Sequence, residues 1–137
     1  MPYTETDTRL YTKGAIFVKI LWTTLHVNNL DRSIRFYREL VGLRLLRRFE
    51  AGDREIAFLG YGKADETLLE LVSEQADVQF TESVSIGFEV ESLDAMLPVL
   101  ETKNIALTGG PFVGPGHAFL FVADPDGMTV QLFENRS

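Results

Sequence analysis

An α+β fold made of two tandem βαβββ modules is the architecture this 137-residue chain predicts. Three observations point to it. Apolar residues switch between strand-like alternation and a single helical stripe in the order β-α-β-β-β. That order then occurs a second time. Within it, HVNNLDRSI at 26–34 matches EVESLDAML at 89–97 position by position, at an offset of 63 residues. A self-match at a fixed offset is the mark of a duplicated supersecondary unit.

The elements follow in order. Residues 1–18 hold polar residues and turn formers and read as an N-terminal extension ahead of a single domain over 19–137. Module one spans 19–75. ILWTTLHV reads as a strand with Trp22, Thr24 and His26 on one face and Leu21, Thr23, Leu25 and Val27 on the other. NNLDRSIRFYRELVGL is an amphipathic helix whose Leu30, Ile34, Tyr37 and Val41 share a stripe, with Gly42 as the stop. LRLLRRF, EIAFLGYG and TLLELVS are three strands parted by polar or glycine-bearing turns. Module two, 83–135, repeats the pattern. SIGFEV is a strand, SLDAMLPVLETKN a helix, and IALTGG, HAFLFVAD and MTVQLFEN the closing strands. Pro98 removes a helix hydrogen bond at a cost of about 3 kcal/mol, so a kink or a shortened first turn is expected there. GGPFVGPG at 109–116 precedes a strand, whereas phosphate loops open a helix, so it reads as a mobile loop over a cleft with His117 at its hinge.

Composition narrows the function classes. The formal charge of −7 opposes nonspecific nucleic-acid binding, and the local cluster Arg44, Arg47 and Arg48 reads as a solvated strand edge. No apolar run approaches the roughly 20 residues that cross a bilayer, and the N-terminus lacks a secretory pattern. With no cysteine there is no disulfide, thiolate metal site or cysteine nucleophile. The two histidines lie outside any serine-histidine-acid arrangement. A cytoplasmic protein with no nucleic-acid or membrane partner is expected.

LDRSIRFYRELVGLRLLRR, IAFLGYG and TLLELV in the first module, with GFEVESLDA and DPDG followed by TVQLFE in the second, resemble the vicinal oxygen chelate superfamily. That superfamily comprises glyoxalase I, bleomycin-resistance proteins and extradiol dioxygenases, and the first half looks most like bacterial glyoxalase I. The resemblance covers about residues 19–135. It implies a glyoxalase-like fold, a curled mixed sheet in which each module forms half of a cleft, and a homodimer. It also implies a divalent metal held by four side chains, one from the first and one from the last strand of each module. Carried over to this chain, those positions are Trp22, Glu70, Ser85 and Gln131.

Only Glu70 among them is a ligand that such a metal favours. Indole cannot ligate, and serine and carboxamide are weak neutral donors. No metal centre and no cofactor are therefore expected, the alternative being a divalent metal weakly bound at Glu70. His26 shares the face of Trp22 but lies two residues on, about 6.5–7 Å along a strand. It reads as a pocket-wall or ligand-contact residue. The matching glyoxalase I position carries an arginine, so glutathione recognition changes with it. Alternation places Ser85, Gly87 and Glu89 inward, with Glu89 either in the cleft or reaching solvent at a strand end. Buried carboxylates at Glu70 and Glu89 need partners, and His26 is one candidate. Two functions follow. The first is a cleft lined by Trp22, His26, Ser85, Glu89 and Gln131 around Glu70 that binds a small aromatic or cationic molecule. The second is a lactoylglutathione-lyase-like or epimerase-like enzyme with an altered metal site, using Glu70 as general base.

Overall fold

The computed structural model describes residues 20–63, 66–79 and 83–137. The proposed extension over 1–18 lies outside the described residues. Strand β1 (Thr23–Val27) leads to helix α1 (Leu30–Glu39), followed by β2 (Arg44–Ala51), β3 (Arg54–Gly60) and β4 (Leu69–Ser73). The second module follows as β5 (Ser85–Glu89), α2 (Leu93–Thr102), β6 (Leu107–Gly114), β7 (His117–Ala123) and β8 (Thr129–Asn135). Each set of strands forms a mixed sheet, ordered β1-β4-β3-β2 and β5-β8-β7-β6. The first and last strands of each module pair in parallel, Thr24 opposite Glu70 and Gly87 opposite Gln131.

Local chemistry starts both helices at equivalent places. The Asn29 side chain accepts from the Arg32 amide at 2.9 Å, and the Ser92 hydroxyl accepts from the Ala95 amide at 3.1 Å. Each satisfies one of the otherwise unpaired first-turn amides. Asp31 and Asp94 add negative charge at the positive end of each helix dipole. Gly42 then takes φ +74, the left-handed conformation that turns the chain away from the end of α1 without a Cβ penalty. The expected disturbance at Pro98 does not break α2, which runs from Leu93 to Thr102 with the proline inside it.

Each helix covers one face of its own sheet. Leu30, Ile34 and Tyr37 press on Val27, Ala57, Leu59, Leu69 and Leu71, while Leu93 and Leu100 press on Ala118, Leu120, Val122, Val130 and Leu132. These buried side chains form one continuous core across both modules. Each buried leucine, isoleucine or valine contributes about 1.5–3 kcal/mol relative to exposure. Glu134 is buried in module two, where it accepts from the Leu93 amide at 2.8 Å and so closes the start of α2. Its hydrogen bond from Arg136, and then that amide, hold its carboxyl below the usual carboxylate range.

The 109–116 segment departs from expectation. Most of it is strand β6, paired antiparallel with β7, and not a loop over a cleft. Pro111 is accommodated because β6 is an edge strand whose register shifts between Leu107 and Gly109 and between Gly109 and Phe112, and Pro115 lies in the turn before β7. His117 is correspondingly the first residue of β7 and no hinge.

The two modules are locked through α1. Tyr37 is fully buried, and its hydroxyl donates to Asp124 Oδ2 at 2.6 Å. The other oxygen of Asp124 accepts from the amides of Asp126 and Met128, both at 2.9 Å, and so shapes the DPDG turn. Arg32 reaches the same turn at Asp126, 3.3 Å away. Burial first, and the Asp124 charge second, raise the Tyr37 phenol far above its ordinary value.

Tyr37→Phe leaves a carboxylate oxygen buried without its donor, which costs about 1–3 kcal/mol. Folding therefore disfavours ionisation of Tyr37, whose pKa is raised in the native state. The stability this supplies is fully present below the unfolded tyrosine pKa of about 10 and is lost as pH rises beyond it. Urea denaturation at pH 7 and at pH 10–11 checks both points. The variant is expected to be weaker at pH 7 and to lose less of its remaining stability than the parent as pH rises.

Candidate functional site

Because a helix covers only one side of each sheet, alternate strand residues point to an open face. On sheet one that face carries Trp22, just ahead of β1, with Thr24 and His26 from β1 and Glu70 from β4. Phe58 from β3 and Phe49 from β2 continue it outward. The Thr24 hydroxyl donates to Glu70 Oε1 at 2.7 Å, which fixes one carboxylate oxygen. Trp22 is half-buried, and its ring lies 5.3 Å from Phe58 with the planes tilted by 37°. Phe49 meets Phe58 edge-on at 5.3 Å, and the Arg47 guanidinium sits 4.4 Å over Phe49.

His26 has a partner that sequence reasoning missed. Its Nδ1 lies 2.6 Å from Glu74 Oε1, and Arg54 Nη2 lies 3.3 Å from Glu74 Oε2. The expectation that His26 would serve Glu70 or Glu89 is thus corrected. Glu74 was legible in principle, because Glu70, Val72 and Glu74 alternate onto one face. A carboxylate is acceptor-only, so Nδ1 carries the proton and Nε2 is the ring nitrogen left for a ligand. The His26 side chain is 51% exposed.

Sheet two opens the same way. Ser85, Gly87 and Glu89 from β5 stand beside Gln131 and Phe133 from β8, then His117, Phe119 and Phe121 from β7, with Phe112 at the β6 edge. Gly87 makes room for its partner, since a Cβ there would lie 3.3 Å from Gln131 Oε1. The His117 ring stacks against Phe119 and Phe133 at 5.9 and 5.8 Å. Phe112 remains 48% exposed. Glu89 is exposed at the end of β5, the second of its two expected placements.

The six residues singled out from sequence thus divide three and three. Trp22, His26 and Glu70 belong to sheet one, and Ser85, Glu89 and Gln131 to sheet two. No hydrogen bond, ion pair or ring contact joins the two sets among the described residues. Between the sheets lie two small cavities. One of about 290 Å³ is lined by Thr24, His26, Val84 and Met128, and one of about 250 Å³ by Thr23, Tyr61, Gly87 and Glu89. Among the described residues no group of three or more His, Cys, Asp or Glu is placed to hold a metal ion.

The sequence profile of the Glyoxalase/Bleomycin resistance protein/Dioxygenase superfamily matches residues 19–132. The lactoylglutathione lyase of Haemophilus influenzae is 32% identical over 128 residues, 88% of this chain and 95% of that protein. The glyoxalase I of Leishmania major, described as trypanothione-dependent, superposes with a TM-score of 0.72 at 27% identity, covering 85% of this chain and 87% of that one. The antibiotic-binding protein TnmS3 of Streptomyces sp. CB03234 shares the fold at a TM-score of 0.67 and 20% identity, over 88% of this chain and 98% of that one. A duplicated βαβββ unit, with matches of this extent in sequence and structure, establishes that the chain belongs to the Glyoxalase/Bleomycin resistance protein/Dioxygenase superfamily.

Proposed function

We propose that this chain is a superfamily member without the usual metal centre that binds a small aromatic or cationic molecule on its open sheet faces. The observation that carries this reading is Trp22. Where the glyoxalase I resemblance puts a metal-binding histidine, the chain holds an indole packed against Phe58, two residues ahead of the Thr24 that pairs with Glu70. The donor set does not fit a divalent ion. Glu70 is its only charged oxygen ligand, and the neutral Ser85 and Gln131 stand on the other sheet. An aromatic platform next to an anchored carboxylate instead suits a planar ring or a cation, through stacking or cation–π contact.

Two chains complete the reading. Both open faces are rich in aromatic side chains that helices of the same chain leave uncovered. A second copy that lays its sheet two over sheet one of the first would enclose Trp22, Glu70 and Gln131 in one cleft and cover the exposed Phe112. Light scattering is expected to give the mass of two chains, and a monomer at micromolar concentration would refute this arrangement.

The metal-free reading predicts less than a tenth of an equivalent of Ni, Zn, Mn or Fe per chain after mild purification. It also predicts no detectable isomerisation of the methylglyoxal–glutathione hemithioacetal, with or without added Ni²⁺. Elemental analysis giving about one metal per chain, or turnover at ordinary enzyme rates of about 1–10³ s⁻¹, would favour the second reading. That reading is a lactoylglutathione-lyase-like or epimerase-like enzyme in which Glu70 acts as base.

Trp22 is the only tryptophan, so its fluorescence reports on the site without background. Members of a panel of aromatic and cationic metabolites are expected to change that emission, and Trp22→Ala to weaken their binding by about 0.5–2 kcal/mol. If Trp22 merely fills space, Trp22→Ala instead costs about 3–5 kcal/mol of stability and no metabolite alters the emission. That pair of results would end the binding proposal.

A further inference from the structure

A groove lies away from the open faces, on the helix side of sheet one. It is an open cavity of about 1000 Å³ between α1 and β2, with Ile34, Leu43 and Leu45 among its lining residues. Four arginines line it: Arg35 and Arg38 from α1, and Arg44 and Arg48 from β2. Its two carboxylates are both engaged, Asp31 by Arg48 at 2.6 Å and Glu39 by Lys103 at 3.4 Å. Arg48 is further neutralised by Glu55. Arg35, Arg38 and Arg44 have no carboxylate partner among the described residues. The side chain of Arg44 packs on the turn at Gly62, where a Cβ would come within 2.8 Å of Nη1.

Arg47, the only other described arginine without a carboxylate, sits instead over the Phe49 ring, so the three described arginines with neither kind of partner all line this groove. With 20 acidic residues against 13 basic ones, carboxylates are plentiful. Arg32, Arg48, Arg54 and Arg136 all find one. The duplication supplies an internal control. An offset of 63 residues superposes α1 on α2 and β2 on β6. The equivalents of Arg35, Arg38, Arg44 and Arg48 are Pro98, Glu101, Leu107 and Pro111. The βαβββ fold therefore needs no cation at any of these positions. Arg38 faces the negative end of the α1 dipole, yet α2 ends with no basic residue in its last turn. Three like charges around one groove repel each other unless an anion sits among them.

From this juxtaposition we propose that the α1–β2 groove binds a small polyanion with two or more closely spaced oxyanion groups. Guanidinium forks match phosphate and carboxylate oxygens with paired hydrogen bonds, whereas ammonium groups act as point charges. The groove volume suits a small molecule, and the apolar lining residues suit a ligand with a carbon skeleton beside its charges. The site is independent of the open-face reading, because it uses no residue of that face.

The test uses the full-length protein with EDTA present at low salt, and inorganic pyrophosphate and citrate as separate probes. At least one of them should bind with a measurable calorimetric heat and raise the melting temperature more than KCl at the same ionic strength. Arg35→Gln/Arg38→Gln/Arg44→Gln should weaken that binding tenfold or more, and Arg38→Gln alone several-fold. Arg47→Gln, outside the groove, should leave it unchanged. Without any anion the triple variant should still fold and melt within a few degrees of the parent, since the repulsion it loses offsets the small favourable contact of Arg38 with the α1 dipole. Preference for pyrophosphate assigns a phosphate ligand, and preference for citrate a carboxylate one. Probe effects no larger than those of KCl, or equal in parent and triple variant, would overturn the proposal. So would tight binding of a 20-base-pair DNA duplex with neither small anion bound.

Discussion

One buried hydrogen bond, from the Tyr37 hydroxyl to Asp124, ties the two halves of this molecule together. Everything functional depends on where it puts them. Tyr37 lies on the buried stripe of α1, and its ring packs on Phe36 and Phe88. Its hydroxyl reaches the turn between β7 and β8, so a helix of module one holds a turn of module two. The same carboxylate organises that turn through two backbone amides. Burying a hydroxyl and a carboxylate this deeply costs free energy unless they pair, so the contact has little freedom to shift. It joins α1 of module one to the β7–β8 turn of module two and leaves the open face of each sheet uncovered.

That placement explains why the fold was readable and the site only partly so. Strand alternation and the helical stripe are local signals, and each element expected from them is present with ends moved by a few residues. The 63-residue offset carried the second module. Failures occurred where tertiary context overrides local chemistry. GGPFVGPG looks like a loop because glycine and proline punctuate chains, yet an edge strand with register shifts can hold both. Pro98 lies inside α2, which runs unbroken from Leu93 to Thr102 with Leu93 and Leu100 buried in the core.

The site shows the same division. Alternation put Trp22, His26 and Glu70 on one face, and strand pairing bears that out by setting Thr24 against Glu70. What alternation cannot give is the relation between sheets. Ser85, Glu89 and Gln131 occupy the second sheet, and among the described residues they share no direct contact with the first set. The pairing of His26 with Glu74 was missed for another reason. Glu74 lies one residue past the end of β4, where the alternation that would have placed it beside His26 was not carried on.

Duplication offers a physical way to separate what the fold requires from what it leaves free. Positions that cap or pack are alike in both modules: Asn29 and Ser92 start the helices, Asp31 and Asp94 follow, and Leu30 and Leu93 are both buried. Positions on the open faces differ. Trp22 corresponds to Ser85, Thr24 to Gly87 and His26 to Glu89. The α1–β2 groove differs as sharply, with four arginines whose counterparts carry no positive charge. Tyr37 itself corresponds to Leu100, so the lock between modules is also an asymmetric addition to a symmetric core. A backbone that folds with either residue cannot be the reason for choosing one of them. For Tyr37 the reason lies in what its side chain touches, the turn of the other module; for the others, the ligands proposed for the open aromatic face and the arginine-lined groove would supply one.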